Sequence, residues 1–315
     1  MYAFNSLAPV FALIILGVVL KRTRFVDEAF VKGGNRLVYW VGLPALLFKS
    51  VATAKISLGD HVDAIAVFYI VTLLVIAIAV GISTALGFSR EVRGPFIQGS
   101  FRGNIAYVGL PVIVLGAADP TGEVGVLAVL MLAVAVPLIN ACAVVALEMA
   151  KHKLGWSVAP TCLKSVFTNP LIIACAAGGV FNVMSKSAGR ELLPVPLVSF
   201  FDLLGQMALP FALLSIGAAL RFGEVRGEVR PVLISSIMKT IVAPAVGALV
   251  VLLFPVDEVE RRILLVFLAC PAAAVTFVMV DQIGGSKPVA AGIVLASTVL
   301  SFPALFGVLW LLNHS

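Results

Sequence analysis

Charge is what this chain has least of. Of its 315 residues, 12% are Asp, Glu, Lys or Arg and 61% are hydrophobic, whereas a soluble domain carries roughly 25% charged residues. A surface so poor in charge cannot face water. The apolar stretches are also too many for one buried core, which leaves lipid as the solvent. Histidine is nearly missing: His61, His152 and His314 fall in loops or at the C-terminus, and no HExxH occurs. A histidine-based metal site inside the membrane is excluded by that inventory alone. The four cysteines, Cys142, Cys162, Cys175 and Cys270, are scattered without a CxxC, and read as small apolar residues. GxSxG and GxGD are absent as well, so an intramembrane hydrolase has no nucleophile–base pair or aspartate pair to work with. The expectation is a protein that is not an enzyme and holds no metal or cofactor. The net charge of +6 does not indicate nucleic acid, because the basic residues cluster between apolar runs, as in cytoplasmic membrane loops. A lipid bilayer is the expected partner, and nucleic acid is not.

What the chain does have is apolar runs of about the 20 residues a bilayer crossing needs. Ten are predicted: 4–20, 33–54, 62–86, 94–117, 123–148, 165–184, 195–220, 231–254, 260–281 and 288–312. The first is followed, not preceded, by Lys21, Arg22 and Arg24. That is the reverse of a cleavable signal peptide, and it reads as a span entering from outside. With Arg102 counted in the third loop, the loops after odd-numbered spans hold 15 Lys and Arg, against 6 after even-numbered spans. The odd loops are therefore expected in the cytoplasm and both termini outside.

The halves echo each other. Gly42-Leu43-Pro44-Ala45-Leu46-Leu47 in span 2 answers Leu209-Pro210-Phe211-Ala212-Leu213-Leu214 in span 7. Span 4 is interrupted at Gly103, Asn104, Gly109 and Pro111, and span 9 at Cys270-Pro271. Broken spans at matched places in two halves point to the binding site of a secondary transporter. Five spans per half is an odd number, so the second copy runs inverted. The expected fold is an all-α membrane protein of ten transmembrane helices in two inverted five-helix repeats. The repeats occupy residues 1–150 and 151–315 and are joined by the polar stretch 149–163.

Several motifs in order carry a resemblance over essentially the whole chain. They are Asn35-Arg36-Leu37 before Gly42-Leu43-Pro44, Arg102-Gly103-Asn104 before Gly109-Leu110-Pro111, and Asn169-Pro170-Leu171. They continue with Leu209-Pro210-Phe211-Ala212-Leu213 before Gly217, Lys239 before Pro244, and Cys270-Pro271 before Phe277. On these the chain resembles the auxin efflux carrier family. That family is a branch of the bile-acid and arsenite transporter superfamily and includes bacterial malonate and malate carriers and the plant PIN proteins. The resemblance implies that spans 4 and 9 unwind and cross near the midplane. It implies a scaffold of spans 1, 2, 6 and 7, a moving elevator core of spans 3–5 and 8–10, and a homodimer formed through the scaffold. It also implies transport of small organic anions such as malonate, malate or auxin-like acids, in a bacterial inner membrane. The alternatives are a sodium-coupled symporter of larger, bile-acid-like anions, or an anion channel.

The candidate site follows from the breaks. Unwound backbone survives in a membrane only where protein or a watery cavity satisfies it. Gly103, Asn104 and Ile105 in span 4, and Pro271, Ala272 and Thr276 in span 9, are expected to line the substrate site. Asn140 joins them as a weaker candidate, with Gln206, both also readable as interhelical glue. The Asn104 amide can donate to a carboxylate or satisfy a freed carbonyl, beside a half-helix N-terminus suited to anions. Thr276 either lines the site or bonds back to its helix. Gly109, Pro111, Pro44 and Pro210 are expected to shape the helices. Ala272-Ala273-Ala274 forms a wall of small residues, where PIN-like relatives carry bulkier or more polar ones; indole-acid specificity is therefore not carried over. Lys239 is costly inside a span, by roughly 3 kcal/mol on insertion scales. It replaces a coupling cation, holds Asp281 or a substrate charge, or snorkels to the cytoplasmic face. Asp202 is expected to be solvated near an outer edge. Spans 4 and 9 hold no acidic pair of the kind that sodium-coupled relatives use.

Overall fold

A computed structural model describes residues 2–55, 58–116, 122–151, 167–220 and 228–313. Among them the fold is all helix apart from loops and one isolated β-bridge. The helices are α1 (Tyr2–Arg22), α2 (Glu28–Leu37), α3 (Leu43–Ala52), α4 (Val62–Ala85), α5 (Arg90–Phe101), α6 (Leu110–Gly116) and α7 (Glu123–Lys151). They continue with α8 (Pro170–Ala188), α9 (Val195–Ala219), α10 (Val229–Ile237), α11 (Ala243–Val251), α12 (Glu258–Ala269), α13 (Val275–Ile283) and α14 (Lys287–Leu312). Six stretches are long and apolar enough to cross a bilayer: Gly59–Ala85, Glu123–Glu148, Pro170–Ala188, Val195–Ala219, Val229–Val251 and Lys287–Leu312.

Prolines dictate much of the local geometry. A helical proline offers no N–H to the carbonyl four residues back, and its ring crowds that carbonyl. Pro44, Pro111 and Pro244 each follow a single π-turn: Val38–Gly42, Ile105–Gly109 and Met238–Val242. The carbonyls they cannot receive belong to Trp40, Tyr107 and Thr240, the middle residue of each turn. Widening the helix there moves the carbonyl off the ring and keeps the rod continuous. Gly109 and Pro111 therefore do not interrupt predicted span 4, as the sequence suggests; they sit where its second half continues. Pro210 is likewise inside an unbroken α9. At Pro95 the freed carbonyl of Glu91 accepts the Ser286 N–H at 2.8 Å, which ties the loop after α13 to the start of α5.

Two groupings dominate the packing. Helix α1 lies along α9 and α3 along α8, while α5 packs on α7 and α10 on α14. The α1–α9 contact is backbone on backbone: a Cβ on Gly217 would lie 1.8 Å from the Ile14 carbonyl oxygen, and one on Gly17 would lie 2.1 Å from that of Leu214. Small residues let membrane helices approach this closely, and the gain is van der Waals contact. Asn182 of α8 donates to the Ala52 and Ala54 carbonyls at 3.1 and 2.7 Å, which ties the C-terminal end of α3 to α8. His61 before α4 meets Glu260 in the first turn of α12 at 2.7 Å, which puts those two N-termini at one face. Asp202 keeps an accessible side chain, as expected, and pairs with Lys49 at 2.9 Å.

Candidate functional site

Both expected breaks are present and they meet. Helix α5 stops at Phe101 and resumes at Ile105, and α12 stops at Ala269 and resumes at Val275. The stretches between them pair as a short antiparallel bridge, Gly103 against Ala272. The Asn104 N–H donates to the Pro271 carbonyl at 2.8 Å and the Ala273 N–H to the Arg102 carbonyl at 2.9 Å. Backbone released by one break thus satisfies backbone released by the other, which is what unwound chain at membrane depth requires.

The remaining main-chain groups of the second break are accounted for one by one. Pro271 has no N–H for Phe267. The Ala272 N–H turns to Ser297 Oγ at 3.0 Å and leaves the Leu268 carbonyl without its helical donor. That carbonyl accepts from the ammonium of Lys239. Lys239 is 1% exposed, so it does not snorkel. Its Nζ would lie 3.2 Å from a Cβ on Gly103, and a side chain at 103 would displace it. Only glycine leaves room for the cation at the crossing. Asp281, the acidic partner suggested by sequence, has no described side chain; the described partner of Lys239 is a carbonyl.

Gly103 faces Lys239, whereas the Arg102 side chain runs to α7 and α13. Arg102 is 7% exposed, and the loop count above misplaces it: the residue belongs to the crossing. Its Nη2 donates to Asn140 Oδ1 of α7 at 2.8 Å and its Nη1 to Met279 Sδ of α13 at 2.7 Å. Gln98 Nε2 also donates to Met279 Sδ, at 3.3 Å. Tyr39, in the π-turn between α2 and α3, lies within electrostatic range of the guanidinium. Sequence reasoning missed Arg102 as a site residue. The available signal was its position beside Gly103-Asn104.

Asn104 is also 7% exposed, yet its side chain has no hydrogen bond among the described residues. Its carbonyl starts the second half-helix by accepting from Val108 and Gly109 at 2.9 and 3.2 Å. The N–H groups of Ile105, Ala106 and Tyr107 have no carbonyl within that helix to reach. The opposite half-helix is more closed, because the Thr276 N–H already bonds Ala273 at 2.9 Å and the Phe277 N–H bonds Ala274 at 3.2 Å. The Thr276 hydroxyl is fully buried without a partner and does not bond back to its helix. Ile105, Pro271 and Ala272 are buried in the crossing, and Asn140 is half-buried. Gln206, by contrast, is exposed on α9. A Cβ on Gly109 would lie 2.8 Å from the Phe267 ring and 3.0 Å from Cys270 Sγ, so glycine there lets α12 pack close. Pro44 stays with α3 and Pro210 with α9, where they shape those helices.

Interrupted helices whose backbones pair amid buried cations define a membrane protein built for passage rather than for bond chemistry. The chain belongs to the auxin efflux carrier family of transporters: the profile described as "Membrane transport protein" matches residues 2–153 and 140–309. It is an integral membrane transporter and not an enzyme. It is also similar to a protein of Rhizobium meliloti (strain 1021) named "Putative malonate transporter", with 27% identity over 312 residues, covering 97% of this chain and 94% of that one.

Proposed function

We propose that this chain carries small organic anions, carboxylates of the malonate and malate kind, by alternating access at the crossing. The observation that supports this best is the crossing itself. Two breaks complete each other's backbone hydrogen bonds, while beside an open half-helix N-terminus the Thr276 hydroxyl is buried and unpartnered and the Asn104 amide makes no hydrogen bond among the described residues. A buried hydroxyl without a partner, as at Thr276, costs about 1–3 kcal/mol, and an anion bound there would recover that cost. The substrate site comprises Gly103, Asn104, Ile105, Pro271, Ala272, Thr276 and Asn140. The malonate named for the similar Rhizobium protein fits a site of this polarity.

The finer architecture is part of the same proposal. Ten spans form two inverted repeats, 1–150 and 151–315. The α1–α9 and α3–α8 pairings belong to a scaffold of spans 1, 2, 6 and 7 that also forms the homodimer, and the rest moves as an elevator core. With Arg102 removed from the loop count, 14 basic residues still flank the odd loops against 6 for the even ones. Both termini then lie outside a bacterial inner membrane. Lys239 supplies a fixed positive charge where a coupled cation would otherwise sit, so transport does not need sodium.

The test is counterflow in proteoliposomes after a thermal-shift screen of carboxylates. A carrier should saturate and should accumulate labelled malonate against unlabelled malonate loaded inside. Linear flux without counterflow would indicate a channel, and no response to any organic anion would overturn the reading.

A further inference from the structure

The guanidinium of Arg102 sits in a setting that a structural role alone does not account for. Among the described residues the ion pairs are Lys49–Asp202, His61–Glu260 and Arg262–Glu258; no carboxylate reaches Arg102. A buried guanidinium is expected to pair with an anion, and its planar fork matches a carboxylate with two parallel hydrogen bonds. Here its acceptors are an amide oxygen of Asn140 and the thioether of Met279. A thioether is a weak acceptor. Even so, two donors converge on it: Arg102 Nη1 at 2.7 Å and Gln98 Nε2 at 3.3 Å. Gln98 is fully buried and its Oε1 has no partner. Thr276 lies three residues before Met279 on α13, so the two share a helix face, and Asn104 follows Arg102 by two residues in the same break.

We propose that Arg102 holds the carboxylate of the transported anion, and that the Met279 thioether is the placeholder which that carboxylate displaces. This rests on the organic-anion reading above and adds to it a residue, a geometry and an exchange. Gln98 donates to the same carboxylate. Asn140 stays on Nη2 and keeps the fork oriented. Met279 is unbranched, with rotatable χ angles, so it can swing off Nη1 without moving backbone. A weak placeholder keeps the donors from collapsing on one another, yet yields to a charged ligand. A native carboxylate there would not.

The experiment uses purified full-length protein in detergent, titrated calorimetrically with malonate, malate, succinate and acetate. Each variant is then compared on the acid that the wild type binds tightest. Arg102→Gln should weaken binding on the order of 30-fold or more, the usual result of removing one partner of a buried charge pair. Arg102→Lys keeps the charge but loses the fork, and should fall between the two. Met279→Leu removes the placeholder and should bind as tightly as wild type or more tightly. Met279→Glu tethers a carboxylate to the guanidinium and should abolish binding while the melting temperature holds or rises. If Arg102 only ties α7 to α13, Met279→Glu strengthens the tie and leaves binding intact, which would overturn the proposal. So would wild-type affinity in folded Arg102→Gln. A wild type that binds none of the four acids overturns the anion reading together with this proposal, so the two failures are distinguishable.

Discussion

Replacing Asn104 with alanine separates binding from folding, because the structure gives the two effects different sources. The Asn104 side chain makes no hydrogen bond among the described residues, so truncation removes no internal partner. Its backbone N–H and carbonyl, which hold the crossing, remain. Stability should therefore change within about 0.5 kcal/mol, as for substitutions that break no named interaction. Binding should lose the amide's hydrogen bond to a charged ligand, about 1–3 kcal/mol, or roughly fivefold to a hundredfold in Kd. Asn169→Ala is the mirror control. Asn169 is the N-cap of α8, and its Oδ1 accepts from the Leu171 N–H at 2.9 Å. Pro170 has no N–H, so Leu171 carries the first donor of that helix, and losing the cap costs about 0.5–2 kcal/mol of stability. Its affinity should be unchanged. Both variants would be purified, melted by intrinsic fluorescence and titrated with the tightest-binding carboxylate. Wild-type affinity in Asn104→Ala with lost affinity in Asn169→Ala would place the site elsewhere.

Gly217→Ala should destabilise by about 2–3 kcal/mol or block folding, as overpacking does, because its Cβ would sit 1.8 Å from the Ile14 oxygen. Gly179→Ala, which meets nothing within 4 Å, should melt as wild type, and equal melting of the two would refute the close α1–α9 approach. Exchanging sodium for potassium should change uptake by less than about threefold, below the usual range of a coupled ligand; a steep, saturable sodium requirement would contradict the role given to Lys239. In a background with the four native cysteines replaced, Ser89→Cys should label only from the cytoplasm and Ser187→Cys only from outside. The opposite pattern would invert the orientation.

The crossing was legible in the sequence because glycine and proline punctuate an apolar run in a way that no continuous helix tolerates. Gly103 stands where the two released backbones pair and Pro271 where a helical donor is missing, and both facts follow from residue type. Depth was not legible. Arg102 stands about eight residues into an apolar run that follows a basic loop, and composition alone assigns such a charge to the loop. Only tertiary packing from α7 and α13 draws it inward. The partner of Lys239 was hidden for a related reason. Sequence suggests an acid for a buried cation, whereas the acceptor is a carbonyl released by a break about 30 residues away. The π-turns ahead of Pro44, Pro111 and Pro244 were out of reach as well. Pro9, Pro95, Pro137, Pro210 and Pro303 sit inside helices without one, so proline permits the widened turn but does not require it.

The two buried cations differ in what holds them, and the difference assigns their tasks. Each carries a penalty of roughly 3 kcal/mol for lying within a span, so neither persists without compensation. Lys239 is compensated by the Leu268 carbonyl. That group is part of the main chain, it lost its helical donor when Ala272 turned to Ser297, and it has nowhere else to turn. Such a contact lasts as long as the break lasts. Arg102 is compensated by Asn140 and Met279, two side chains that can change rotamer at little cost. One face of the crossing therefore carries a charge whose partner is fixed, and the other a charge whose partner can be exchanged. A carrier needs the second kind where substrate enters and leaves.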